Sequence, residues 1–209
     1  DWDGIVGSVS HGSFTDGFGC YAKADGKIYT FINSYTLPSG GLVTSSVLST
    51  GTWYHVLWCY DGTLGSNNIE VFIDGSSIGT AAFTATVTTS GTGGTSFFNM
   101  GRISPNTSPY YAFNGHLDEV AVWNTDKRAD VTTIYNSGVP NDITSLSPTA
   151  WWRMGDESGY QYLTNKMSYS KYSTYFDGVD DLVDLGDSDV LSFGDGSTDS
   201  PFSGSMWVY

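Results

Sequence analysis

The sequence predicts an all-β protein, a jelly-roll sandwich of about a dozen short strands with one short helix. Short apolar and aromatic runs recur along the 209 residues, and Gly-, Asp- and Ser-rich turns separate them. Aromatic residues make up 15% of the chain and apolar residues 39%, which is enough to build a core. Because sandwiches of this length commonly form one unit, we expect a single domain.

Charge and hydropathy argue against two classes of partner, nucleic acids and membranes. The net charge is −14, and no Lys or Arg occurs between Lys27 and Arg102. Such a surface repels phosphate backbones, so nucleic-acid binding is not expected, whereas cations and neutral glycans suit it. No apolar run approaches the length of about 18 residues that a membrane-spanning helix needs, so membrane insertion is not expected.

The predicted strands follow one another with strong turn signals between them. Ala24-Asp25-Gly26 and Asp74-Gly75 each join two strands as a hairpin. A further apolar run, TAWWRM, lies near residue 150. The main strands are expected at residues 2–9, 17–23, 27–33, 41–48, 53–60, 68–73, 76–82, 96–103 and 115–124.

One segment has the signals of a helix. Thr125 or Asp126 can cap it, residues 127–136 can form it, and Gly138 and Pro140 end it. Its apolar side chains fall on one side and are expected to dock it on a sheet edge; they are Val131, Ile134 and Tyr135.

The last part of the chain is predicted to supply the opening strands of the jelly roll. Residues 172–209 contain eight Asp but no Lys, Arg or Glu, and they end inside the apolar run SMWVY. Joining Tyr209 to Asp1 gives a strand, a polar turn and a strand, so we expect a fragment or processed product in rotated order. We divide the chain into residues 1–154, the main part of the jelly roll, a connector at 155–171, and the opening strands at 172–209.

Two arrangements can use those opening strands. They can fold back on their own chain, or they can complete the next subunit. Residues 157–171 could span roughly 50 Å at about 3.3 Å per residue, enough to reach a neighbour. We expect the second arrangement, a head-to-tail homo-oligomer, because a contact of this kind does not close and so propagates a filament.

Three motifs carry a family resemblance. They are GTWYHVLWCYDG at residues 51–62, IEVFIDG at 69–75 and GHLDEV at 115–120. Together they resemble the laminin G-like jelly rolls of the concanavalin A-like lectin/glucanase superfamily. The motifs that usually open such domains match FDGVDDLV at 176–183 and MWV at 206–208, after the others and not before them.

The resemblance implies a fold more strongly than a function, since the superfamily includes lectins, adhesion modules and glycosidases. The phrases WWRMGD, IYNSGVP and LSFGDGSTDSPFS also resemble repeats of phage tail or surface proteins. We expect a non-enzymatic structural or adhesion module of an extracellular or virion surface fibre. The alternative is a calcium-dependent carbohydrate-binding domain.

Catalytic patterns are weak. A glycosidase needs two carboxylates across the scissile bond, yet the three glutamates, Glu70, Glu119 and Glu157, lack the E-x-D-x-x-E spacing of related glucanases. Asp118 and Glu119 are adjacent and are expected to point to opposite faces of a strand. No nucleophile elbow or metalloprotease motif is present. We therefore expect no enzymatic activity.

Calcium is the best chemical hypothesis for a site. Calcium takes six to eight oxygen ligands, and the turn from Asp177 to Asp181 offers carboxylates and carbonyls at close spacing. By resemblance, the ion lies between this turn and the Asp-Glu strand, so Asp177, Asp180 and Asp118 are the candidate ligands, with Asp181 next. The alternative is that these Asp-Gly pairs only form turns.

Three further features have two interpretations each. Tyr110 and Tyr111, in a loop, are candidates for ligand stacking, whereas Trp53, Trp58, Trp123 and Trp207 are expected in the core. Asn106 begins a glycosylation sequon that matters only in a eukaryotic source. The cysteines, Cys20 and Cys59, are either a disulfide or two buried thiols.

Overall fold

The computed structural model describes residues 2–9, 17–32, 41–45, 48–83, 97–102, 112–154, 173–184, 191 and 200–209. Most of these residues lie in strands, which confirms the all-β prediction. The strands are β1 (Trp2–Val9), β2 (Phe18–Lys23), β3 (Ile28–Ile32), β4 (Gly41–Val43), β5 (Tyr54–Tyr60), β6 (Ile69–Ile73), β7 (Ser76–Ala81), β8 (Phe97–Met100), β9 (Asn114–Trp123), β10 (Ala150–Trp152), β11 (Thr174–Asp177), β12 (Val183–Asp184) and β13 (Phe202–Val208).

The strands form two antiparallel sheets. The first has six strands in the order β12-β8-β1-β2-β3-β4. The second has seven, in the order β10-β9-β13-β5-β6-β7, with β11 paired to the same edge of β9 as β10. Their facing surfaces enclose one main core, which includes Phe18, Trp58, Phe98 and Phe202. The architecture is therefore the predicted sandwich.

The terminal block contributes strands to both sheets of the sandwich. β13 lies between β5 and β9, and all seven of its residues are buried. β11 adds to the second sheet, and β12 adds to the first through β8. The connector at 155–171 lies outside the described residues.

The helical segment docks on a sheet face and not on a sheet edge, which corrects the prediction. A 3-10 turn (Arg128–Asp130), the helix α1 (Val131–Tyr135) and a second 3-10 turn (Asn136–Gly138) follow one another, and another 3-10 turn lies at Thr144–Leu146. Ile134 packs into a second cluster on the outer face of the second sheet. In the described part of the chain, no helix is long and apolar enough to cross a membrane.

Local sequence explains the ends of these elements. The N-cap position is held by Lys127, without a side-chain capping bond, and not by Thr125 or Asp126 as predicted, although Asp126 accepts a hydrogen bond from the Arg128 backbone N–H at 3.1 Å. Asn136 ends α1 in the left-handed conformation, with φ of 45°. Asp74 and Gly75 both have positive φ, which is the type I′ geometry of a two-residue hairpin.

The two cysteines are free buried thiols. Cys20 packs in the main core between the sheets, whereas Cys59 belongs to the outer cluster beneath α1. Because they lie on different faces of different sheets, they do not form a disulfide. Burial raises the pKa of each thiol to about 12, so both stay protonated at neutral pH.

Gly204 lets β13 approach Trp58. A Cβ at this position would overlap Trp58 Nε1 and would lie 2.9 Å from Trp58 Cε2, closer than van der Waals contact allows. Gly204 pairs with Trp58 across β5 and with Val122 across β9, so neither neighbouring strand can give way freely.

Gly204→Ala should therefore lower the free energy of unfolding by about 1–3 kcal/mol or more, the usual cost of overpacking a core. Urea denaturation followed by Trp fluorescence measures the change. Gly65→Ala is the matched control, since a Cβ there meets nothing within 4 Å. Equal unfolding free energies for the two variants would contradict the close packing of β13.

His55 is buried as the neutral imidazole. Its Nε2 lies 2.7 Å from Ser205 Oγ, its ring packs between Tyr135 and Trp207, and it is fully buried. Desolvation by burial lowers the pKa of His55 to about 3, compared with 6.5 for a free histidine. The unfolded chain therefore binds a proton at His55 at a higher pH than the folded chain does.

This difference predicts a pH-dependent stability. The contribution of His55 is fully present above its unfolded pKa of 6.5 and is lost as the pH falls toward about 3, by at most about 1.4 kcal/mol per pH unit. Urea unfolding of the wild type and of His55→Gln at a series of pH values separates the contribution of His55 from that of the carboxylates, which both proteins share. The free energy of unfolding should fall more steeply with decreasing pH in the wild type than in the variant. Parallel pH profiles would show that His55 is not buried in its neutral form.

Candidate functional site

An acidic turn follows β11 at the rim of the second sheet. Asp177, Asp180 and Asp181 each offer a carboxylate oxygen within 4.8 Å of the others. Two hydrogen bonds hold the turn, from the Val179 N–H to Asp177 Oδ1 at 2.8 Å and from the Asp177 N–H to Asp181 Oδ2 at 2.9 Å. Three of the four predicted metal ligands therefore lie together.

Gly178 and Asn114 determine how this turn sits on the sheet. Gly178 has φ of 80°, which favours glycine, and a Cβ there would lie 2.8 Å from Asn114 Cβ. Asn114, the first residue of β9, pairs in register with Asp177. The Asn114 amide therefore borders the turn. Sequence reasoning missed it because only the β9–β11 register reveals the neighbour.

Asp118, the fourth predicted ligand, is placed elsewhere. It lies four residues beyond Asn114 along β9, roughly 13 Å at about 3.3 Å per residue. Its register partner is Trp207 of β13, and it is 2% exposed. Among the described residues, the acidic group that could hold a metal contains the three turn aspartates without Asp118.

The expectation that Asp118 and Glu119 face opposite sides of the sheet is wrong. The β9–β13 register shifts at this point, and Glu119 has φ of 50°, as in a β-bulge. Trp207, the register partner of Asp118, lies on the outer face beneath Tyr135. Glu119 reaches the same face, where its Oε2 accepts a hydrogen bond from Trp151 Nε1 at 2.7 Å.

Both described glutamates are engaged with arginines. Glu119 is 6% exposed, and its Oε1 lies 3.5 Å from Arg153 Nε. Glu70 Oε2 lies 3.5 Å from Arg128 Nε, and Glu70 Oε1 accepts a hydrogen bond from the Ser77 hydroxyl. Glu157 lies outside the described residues.

The acidic turn, in contrast, has no cationic side chain in salt-bridge contact within the described part of the chain. The ion pairs formed by Lys127, Arg128 and Arg153 involve acidic residues elsewhere in the described part of the chain. Three neighbouring carboxylates repel one another, and a hard dication relieves that repulsion. The donor set, three carboxylates beside an amide, fits calcium.

The aromatic predictions have mixed outcomes. Trp58, Trp123 and Trp207 are buried as expected, whereas Trp53 is only half-buried and lies at the rim. Tyr110, Tyr111 and the sequon Asn106 lie outside the described residues.

Comparison with known proteins identifies the family. Residues 1–131 match the family model of laminin G type described as the concanavalin A-like lectin/glucanases superfamily. No curated protein and no solved structure matches the chain. The matched segment ends within α1, so β10 to β13 lie beyond it. Since the match covers more than half of the chain and the sandwich agrees with it, this protein belongs to the concanavalin A-like lectin/glucanase superfamily.

Proposed function

We propose that this protein is a non-catalytic, lectin-like adhesion module that acts outside the cell and uses calcium at the acidic turn. The observation that carries the proposal is the group of three carboxylates within 4.8 Å at an exposed rim. Family membership supports a lectin-like or adhesive role, and the net charge of −14 favours cations over anionic partners.

Calcium would be held by the carboxylates of Asp177, Asp180 and Asp181, with the Asn114 amide oxygen beside them. When bound, the ion supplies positive charge and open coordination positions that ligand hydroxyls can fill. The turn itself is already ordered, because the Asp177 and Asp181 carboxylates accept hydrogen bonds from its backbone N–H groups. The protein's part is thus to hold three negative charges in a small, exposed space.

Binding without catalysis agrees with the positions of the two glutamates that the structure describes. Glycosidic cleavage needs a proton donor and a second carboxylate that both reach the substrate. Glu70 and Glu119 are instead paired with Arg128 and Arg153, and Glu119 is buried. The three aspartates of the turn serve better as metal ligands than as an acid and a base.

Assembly into an extracellular or virion fibre by strand exchange would extend this proposal. A neighbour's β13 would have to make the contacts with β5 and β9 that the chain's own β13 makes. No described contact favours exchange over closure on the same chain. The module is therefore proposed as a single chain.

Calcium should raise the melting temperature, because a ligand that binds only the folded state stabilises it. At a concentration about 100-fold above the dissociation constant, the gain is about 2.7 kcal/mol. Asp180→Asn should weaken binding about tenfold or more by removing one charged ligand. Isothermal titration and thermal melts in calcium or EDTA measure both effects.

The matched control is Asp61→Asn. Asp61 also orders a turn, by accepting hydrogen bonds from the Thr63 N–H and hydroxyl, but it lies outside the acidic group. It should bind calcium like the wild type. Equal melting temperatures in millimolar calcium and in EDTA would refute the metal site. A glycan array read in both solutions then distinguishes a calcium-dependent lectin from an adhesion module that binds protein.

A further inference from the structure

An asparagine-glycine pair lies beside the acidic turn. Of the ten asparagines in the sequence, Asn114 is the one that a glycine follows. Asn114 is exposed at the start of β9, and a Cβ on Gly178 would lie 2.8 Å from Asn114 Cβ and 3.3 Å from Asn114 Nδ2. Asparagine loses its side-chain amide most readily before glycine, because the next residue then has no side chain to hinder ring closure.

The packing of the sandwich requires the glycine of this pair. A Cβ on Gly115 would lie 2.7 Å from Phe113 Cζ and 2.9 Å from Phe113 Cε1, closer than van der Waals contact allows. Phe113 is 6% exposed and belongs to the main core, so its ring cannot move away freely. The reactive pair therefore cannot be removed at Gly115 without a packing cost.

We propose that Asn114 is a self-modification site, at which the side-chain amide becomes a carboxylate without an enzyme. The product supplies the acidic turn with a fourth carboxylate. The effect on calcium rests on the proposed function, whereas the modification itself does not need calcium.

The reaction balances with water as its co-reactant. The Gly115 backbone nitrogen gives up its proton and attacks Asn114 Cγ, the bond from Cγ to Nδ2 breaks, and ammonia leaves. Water then opens the resulting five-membered imide at one of its two carbonyls. One opening gives aspartate at position 114, and the other gives isoaspartate, in which the main chain runs through the side-chain carbons.

The two products act differently on the acidic turn. Aspartate keeps the register in which residue 114 faces Asp177. Its carboxylate joins a group that already holds three within 4.8 Å, so it increases both their repulsion and their attraction for a dication. Isoaspartate lengthens the main chain by one carbon and disrupts this pairing. The aspartate product is therefore the one that strengthens the site.

The pairing of β11 controls the rate. His116 exchanges two backbone hydrogen bonds with Tyr209, at 3.0 and 3.1 Å. Because successive residues of a strand direct their N–H groups to opposite sides, the Gly115 N–H points toward β11, where Phe176 is its register partner. β11 must lift away before the nitrogen can attack. β11 is a four-residue edge strand, which favours local opening, but the buried ring of Phe176 keeps the opening infrequent and the reaction slow.

The test incubates the full chain in mildly alkaline buffer with EDTA and follows each asparagine by peptide mapping with mass spectrometry. Asn114 should convert faster than Asn136, which is also exposed but precedes serine. The conversion should be slower in the native protein than in urea, where β11 no longer pairs with β9. Asn114→Gln is the matched control, because its longer side chain closes a ring far more slowly.

The effect on the metal site is measured with Asn114→Asp, which is the pure aspartate product. Isothermal titration should show calcium binding about tenfold tighter than in the wild type, as expected for one added charged ligand. Circular dichroism checks that the variant is folded.

Each outcome separates the modification from the metal site. An intact Asn114 in the native protein, after a time in which the urea-unfolded chain converts it, overturns the modification site, as does conversion no faster than at Asn136. Equal calcium affinities of the wild type and Asn114→Asp overturn the effect on the turn. Conversion in a protein of which neither form binds calcium refutes the proposed function and leaves the modification standing.

Discussion

The sandwich depends on the seating of β13 between β5 and β9. Its inward residues, among them Phe202 and Met206, enter the main core. On the outer side, Ser203 attaches the helical segment that begins at residue 125. Ser203 Oγ accepts a hydrogen bond from the Lys127 N–H and donates one to the Thr125 carbonyl, both at 3.0 Å. Without this strand, β5 and β9 would each expose an unpaired edge, and two apolar layers would open at once.

The same strand arrangement accounts for the rim. Because β13 separates β5 from β9, and β11 lies beyond β9, side chains from four distant parts of the sequence meet in one aromatic cluster at the rim: Trp53, His116, Tyr175 and Tyr209. Farther along the same face, Tyr135 of α1 packs against His55 and Trp207. The acidic turn begins two residues after Tyr175, so the pairing of β11 with β9 sets its position as well.

Sequence reasoning succeeded where the signal is local. The Asp74-Gly75 pair specifies its hairpin, and the aromatic and β-branched residues of β5 favour a strand whatever their neighbours. The sequence-based predictions failed where the position of a residue depends on the register between paired strands. The bulge at Glu119, the docking of α1 on a face and the exposure of Trp53 depend on pairing between strands that are far apart in sequence. The position of Asn114 beside the acidic turn, and of Asp118 far from it, has the same cause.

The most direct test of own-chain closure joins β13 to β5 covalently. Cys59 pairs in register with Ser203, and directly opposed residues of antiparallel strands have Cα atoms about 4.5–5.5 Å apart, within disulfide range. Ser203→Cys, refolded in a glutathione redox buffer at several protein concentrations, should run as a monomer of 22.5 kDa on a non-reducing gel. Peptide mapping should find Cys59 linked to the introduced thiol. A ladder of disulfide-linked multimers that reduction collapses, absent from the wild type, would contradict closure and show that β13 is exchanged between chains.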